Sequence, residues 1–210
     1  NPTGIEQALE LGLDTVKFFP AEQSGGLEMI KAMAAPYGKM KFMPTGGVSP
    51  ANVVNYLTNP KILCCGGSWM VKSDLIAAGR FDDIEQLCRE AVSLMLGFSL
   101  KHTAINCATN ESAFDTISAL GNVFGLPTTF GTEGGMVGDI IEVLGPSGRG
   151  ERGHIAIATN SVDRAVYHLS RRGVRFDTEH AAYFPDGRMR VVYFDDGENK
   201  EGFAIHLLQK

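Results

Sequence analysis

Residues 14–22, DTVKFFPAE, carry an amine where the pattern calls for an apolar strand. Val16, Phe18 and Phe19 read as a short buried strand, and Lys17 sits among them. Side-chain alternation puts Thr15, Lys17 and Phe19 on one face and Val16 and Phe18 on the other. Burial disfavours a charged ammonium, and a neutral amine can attack a ketone to form a Schiff base. The other reading of the same residue is a strand-end lysine whose stem is covered and whose head reaches water.

Two glycine-bearing segments accompany the lysine. PTGG, residues 44–47, and GGS, residues 66–68, stand where strands hand over to helices. Glycines there let backbone N–H groups approach an anion, and a following helix N-terminus favours negative charge. The Ser68 hydroxyl adds a further donor. A single Gly-Gly would be explained by the turn alone; two in succession beside a strand lysine read as a phosphate cradle.

A separate constellation lies further along. His102 and His154 hold equivalent places in an internal repeat: HTAINCATNESAFDTISALG from His102 aligns with HIAIATNSVDRAVYHLSRRG from His154, given one gap. Ala104 and Ala156 share the histidines' faces and leave room beside the rings. Glu142 stands on a strand face with Ile140 and Leu144, and His206 on one with Ala204 and Leu208. Three imidazoles and a carboxylate suit zinc, nickel, iron or cobalt. The alternative is that these groups pair with each other or with water in a structural or oligomerising domain.

The elements that must position these residues fall into two groups. The first 98 residues alternate strand and helix: DTVKFF, then GGLEMIKAMAAPYG with Leu27, Ile30 and Met33 at helical spacing; MKFMPTGG, then SPANVVNYLTNP; ILCCGGSWM as a third strand, then one helical closer, DLIAAGRFDDIEQLCREAVSLMLG. Strand then helix, three times over, predicts parallel β/α units with functional groups at the strand C-termini. Residues 100–210 read as two β-α-β units, the boundary falling near residues 98–101. GTEGG, 131–135, is expected to be a hairpin, FPDG and FDDG turns, and GPSGRGERG, 145–153, a flexible joint. Asp163, Arg164, Arg171 and Arg172 are expected to form a solvated helix face.

The first part resembles the class I 2-keto-3-deoxy-6-phosphogluconate aldolases, also called 4-hydroxy-2-oxoglutarate aldolases, through TVKFFPAE, PTGG and GGSW in order over residues 5–96. That resemblance implies the last three β/α units of a (β/α)8 barrel, residues 1–98, and a homo-oligomer, a trimer. It implies an imine between Lys17 and pyruvate, a Thr45 contact to the substrate's carboxylate end, and Gly46, Gly47, Gly67 and Ser68 around the phosphate. The substrate is then a small keto acid, cleaved to pyruvate and an aldehyde with no cofactor. The family's general-base glutamate and further pyruvate-binding groups lie on earlier strands. Residues 1–16 offer no equivalent, so the 210 residues are expected to be weak or inactive alone. An opening Asn followed at once by a helical pattern also suggests a fragment.

Residues 100–210 resemble, more by pattern than by identity, the vicinal oxygen chelate superfamily of glyoxalase I and the extradiol dioxygenases. Its paired βαβββ modules take metal ligands from first and last strands. That implies a divalent metal on His102, Glu142, His154 and His206, and a metal-dependent enzyme acting on a small keto or aldehyde compound. The fold class is thus α/β followed by α+β.

Composition bounds these readings. Hydrophobic residues make up 44% and charged residues 20% of the chain, ordinary for a globular protein. A net charge of -5 gives no basic footprint for nucleic acid. No run of about 18 apolar residues suggests a membrane span. Four cysteines without zinc spacing, and no signal-peptide pattern, are expected of reduced thiols in a cytoplasm.

Overall fold

The computed structural model describes residues 1–210, which divide into two compact units, Asn1–Met95 and Leu96–Lys210. In the first, Pro2–Glu10 (α1) starts at Asn1, whose side chain accepts from the Gly4 N–H. Such a cap satisfies a donor the helix leaves open. Strands Thr15–Phe18 (β1) and Lys41–Pro44 (β2) pair in parallel, with Gly26–Ala34 (α2) between them. Val53–Leu57 (α3), Ser73–Ala77 (α4) and Phe81–Leu96 (α5) come next. The core is one cluster that includes Ile5, Ala8, Ile30, Ala34, Phe42, Val53, Tyr56 and Ile62, with Val16 and Phe18 packed against it. The helices therefore cover the face that Val16, Phe18 and Phe42 present.

Two expectations for this unit need correcting. The third strand, residues 62–70, is reduced to isolated bridges, Phe42 with Ile62 and Thr45 with Gly66. Phe42 donates to Lys61 O and accepts from Leu63, but the next rung fails. Pro44 has no N–H to continue the ladder, and its carbonyl accepts from Gly66. Cys64 and Cys65 accordingly lie in irregular chain. The single helical closer is two helices, α4 and α5, separated at Gly79, whose φ of +67° ends the first.

In the second unit, Ser99–Asn106 (β3), Asn110–Phe124 (α6), Thr128–Phe130 (β4), Gly134–Val137 (β5) and Ile141–Leu144 (β6) make one βαβββ module. Gly153–Thr159 (β7), Val162–Ser170 (α7), Phe176–Tyr183 (β8), Met189–Phe194 (β9) and Phe203–Gln209 (β10) make the other. All eight strands form one sheet in the order β4-β5-β6-β3-β7-β10-β9-β8. Each module lays its last strand parallel to its first, and β3 joins β7 antiparallel at the centre. Val137 and Val143 pack with Ala113 and Ile117 of α6. Thr109 and Ser112 close a capping box at the start of α6, and Ser161 caps α7.

The segment 145–153 is not a free joint. The Asn106 side-chain amide donates to the carbonyls of Gly148 (2.9 Å) and Gly150 (2.6 Å). A Cβ on Gly148 would overlap Asn106, so only glycine allows this approach.

Candidate functional sites

The first site gathers at the C-terminal ends of β1 and β2. Lys17 pairs across the ladder with Met43 and lies on the face that the helices leave uncovered. It is exposed, as the strand-end reading has it and not the buried one, because this face carries no packed layer. Its Nζ stands 5.2 Å from the Phe19 ring centroid. Thr45 comes directly after β2; its N–H donates to Phe18 O, and its carbonyl accepts from the Ala21 N–H. The Thr45 hydroxyl is buried without a hydrogen-bond partner, an arrangement that costs free energy unless something meets it.

The glycines around this point have separate reasons. Gly46 and Gly47 have φ of +94° and +80°, a conformation that disfavours side chains. A Cβ on Gly46 would meet the Phe19 ring at 3.1 Å, and one on Gly47 would lie 2.5 Å from Glu22 Cγ. Gly67 is different: a Cβ there would overlap the Trp69 ring, so Trp69 packing accounts for it. Ser68 is exposed, and its carbonyl accepts from Val71. Glu22 accepts from the Tyr56 hydroxyl. With burial, this contact raises the Tyr56 pKa. The sequence carries no sign of that pair, since 34 positions separate its members.

The second site lies in the middle of the eight-stranded sheet. Glu142, His102, His154 and His206 occupy β6, β3, β7 and β10, four strands adjacent in that order. The register surrounds them with alanine: Ala104 stands beside Glu142, Ala156 beside both His102 and His206, and Ala204 beside His154. All three alanines are buried. A bulge at Lys101, between Leu100 and His102, sets the register that brings His102 to Ala156. Small side chains thus leave the space into which the four polar groups converge.

That convergence is close. His102 Nε2 and His154 Nε2 are 3.1 Å apart, and Glu142 Oε2 lies 3.4 and 3.0 Å from them. Ligand atoms of His102, His154 and His206 all fall within 4.8 Å of one another. His154 and His206 are 4% and 5% exposed, yet His154 Nδ1 and both nitrogens of His206 have no partner. Hydrogen bonds from His102 and His154 hold the Glu142 carboxyl down at about 2. Burial, then the neighbouring His154 and His102, push His206 down to about 4. A neutral buried imidazole with both nitrogens unmet is the form that ligates a metal.

Further residues frame this site that no motif announced. Tyr193 of β9 stacks on the His206 ring, centroids 4.7 Å apart. The Arg149 guanidinium lies over the Tyr193 ring, 4.4 Å from its centroid. Arg149 also donates to Asp177 at 2.9 Å, and Asp177 contacts His180 Nδ1 at 2.8 Å. The pairing of His206 with Tyr193 comes from strand register, which residue types alone do not reveal.

Residues 1–87 match the family KDPG and KHG aldolase. A 2-dehydro-3-deoxy-phosphogluconate aldolase of Haemophilus influenzae is 50% identical over 95 residues, 45% of each chain. The chain spans less than half the length of the curated relatives it matches. The solved KDPG aldolase of Legionella pneumophila, with pyruvate captured as a covalent carbinolamine, is 36% identical at a TM-score of 0.41, covering 42% of this chain and 43% of that one. A methylmalonyl-CoA epimerase structure from Mycobacterium tuberculosis is 15% identical at a TM-score of 0.41, covering 55% of this chain and 89% of that one. No helix is long and apolar enough to cross a membrane.

Proposed function

We propose that residues 1–87 carry the imine-forming part of a class I aldolase acting on 2-keto-3-deoxy-6-phosphogluconate or 4-hydroxy-2-oxoglutarate. The observation that carries this reading is the half-length identity to aldolases over the segment in which Lys17, Phe19 and the Thr45 turn sit at one pair of strand ends. Lys17 Nζ adds its lone pair to the substrate ketone, and water leaves to give the iminium. The C3–C4 bond breaks, its electrons move to the iminium nitrogen, and the C4 hydroxyl proton is released to form the aldehyde. The resulting enamine takes a proton at C3, and water hydrolyses the imine to free pyruvate and Lys17. The unmet Thr45 hydroxyl supports its role at the carboxylate. The positive-φ turns at Gly46 and Gly47, with Ser68 and the backbone N–H of Gly67, whose lack of a side chain answers to Trp69, serve the phosphate.

The step that lacks a partner is proton removal. Glu22 is the carboxylate beside the Gly47 turn, and it is engaged by Tyr56. The 210 residues should therefore capture pyruvate but cleave substrate weakly. Pyruvate with borohydride should leave a reduced adduct on the peptide containing Lys17. An unmodified Lys17 after that treatment would sink the assignment. A small keto acid as partner, a trimeric assembly and a cytoplasmic setting belong to the same reading.

A second reading concerns Leu96–Lys210, where we infer a divalent transition-metal centre in a glyoxalase-like module. The convergence of His102 Nε2, His154 Nε2 and Glu142 Oε2 beside His206, whose two nitrogens are unmet, carries it. Donor atoms on one ion at about 2.0–2.2 Å stand about 3.0–3.6 Å apart, and the His102, His154 and Glu142 separations match. Bound there, the metal would act as a Lewis acid toward a carbonyl oxygen. The chain's own residues hold the charge: Glu142 supplies an anion, and His206 supplies neutral nitrogen. Protein purified without a histidine tag should hold about one equivalent of zinc, nickel, iron or cobalt. Less than about a tenth of an equivalent would favour a purely structural or assembly module.

A further inference from the structure

The cavity beside the four converging groups is about 380 Å³ and is lined by His102, Glu142, His154 and His206, and by Tyr193 and Arg149. That volume suits a small molecule. Its one cation outside the histidines is Arg149. Besides Glu142, two more carboxylates stand near Arg149 or the cavity. Glu133 lines the cavity, and its carboxylate accepts from the Ser147 hydroxyl at 2.6 Å. Asp177 is shared between Arg149 and His180. Arg149 commits a single N–H contact to Asp177, and a guanidinium carries five donors.

The guanidinium is also held in place. The Asn106 amide pins the carbonyls on both sides of it, at Gly148 and Gly150, and the loop cannot rearrange without losing those bonds. Tyr193 contacts both Arg149 and His206 through its ring. The guanidinium carbon and the His206 ring are therefore no farther apart than the 4.4 and 4.7 Å separations laid end to end. The cation and the four donor groups therefore line one cavity close to each other.

Resting on the metal reading, we propose that Arg149 anchors the far carboxylate of a small dicarboxylate. The ligand's near end, a 2-oxo or 2-hydroxy acid, meets the metal. A planar guanidinium suits the planar carboxylate. A three-carbon monocarboxylate has no second anionic end to reach it. Arg149 is a specificity-determining residue in this scheme, and it leaves metal uptake to the other four.

The test uses Co(II) alone, then two 2-hydroxy acids, 2-hydroxyglutarate and lactate. Neither carries a ketone, so Lys17 cannot capture them. The visible Co(II) bands report both metal uptake and ligand arrival. The wild-type chain should bind 2-hydroxyglutarate about tenfold or more tightly than lactate. Arg149→Met should lower 2-hydroxyglutarate to the level of lactate while Co(II) affinity and lactate binding stay put. Arg149→Lys should restore part of the preference. Equal binding of the two acids by the wild type, or a preference that survives Arg149→Met, overturns the anchor and leaves the metal centre standing. Failure to take up Co(II) removes the centre and the anchor together.

Discussion

The two sites sit at opposite ends of burial. Lys17 stands exposed on an uncovered sheet face, its side chain open to water. His154 and His206 are buried at the centre of an eight-stranded sheet with ring nitrogens unmet. The first arrangement costs little free energy and confers little preorganisation on its own. The second leaves polar atoms without partners, a cost of about 1–3 kcal/mol for each such group, which a metal bound at one His206 nitrogen would offset in part. Local chain makes the first site, whereas four strands from two modules make the second.

The sharpest way to break this contrast is to disable each site separately. Lys17→Met should abolish the borohydride-trapped pyruvate adduct completely and leave metal content unchanged. His154→Ala should bring metal content below about a tenth of an equivalent and leave the adduct untouched. Mass spectrometry and metal analysis on both variants decide this, and cross-effects would show that the two sites are not independent.

Next in size is a pH effect confined to the buried site. An unfolded chain protonates His206 as pH falls through about 6.5, whereas the folded chain resists until about 4. Between those values the unfolded state binds more protons, so stability rises with pH across the window and is lost on acidification. For His206 alone this amounts to about 3 kcal/mol in the metal-free chain. Urea unfolding at pH 7 and at pH 4 measures it. His206→Leu should flatten the dependence, and an unchanged slope would remove His206 as its source.

Smaller effects test the space around each site. Ala156→Val places two methyl groups beside His102 and His206 at a fully buried position. It should destabilise the second unit by about 1–3 kcal/mol and weaken metal uptake. Gly67→Ala drives a methyl into the Trp69 ring and should cost a similar or smaller amount in the first unit, since Trp69 is only half-buried. The smallest effect belongs to Arg89→Ala. It breaks an exposed pair with Glu85 and should shift stability by less than about 0.5 kcal/mol. A thermal melt ranks these three.

Much of both sites was legible from residue order. The strand-end lysine and its glycines lie within short spans, where the strand pattern and the turn beside it are local properties of the chain. The repeat likewise announced four polar residues on otherwise apolar strand faces. The features that order did not reveal have a common cause. Whether Lys17 is buried depends on what covers its face, and the covering layer lies on the other side of β1 and β2. The third strand failed because Pro44 lacks a donor at one rung, a detail of ladder register.

Sequence by itself determined which groups could react: an amine on a strand, glycine turns beside it, three imidazoles and a carboxylate. Tertiary structure alone decided how near they stand. The bulge at Lys101 and the alanines beside these groups set the 3.1 Å approach of His102 to His154. The grip of Asn106 on residues 148–150 turned an apparent joint into the mount for Arg149. Pattern and spacing act along the chain, whereas strand register and packing act across it. Groups 52 positions apart meet only when the strands between them choose a partner and a register.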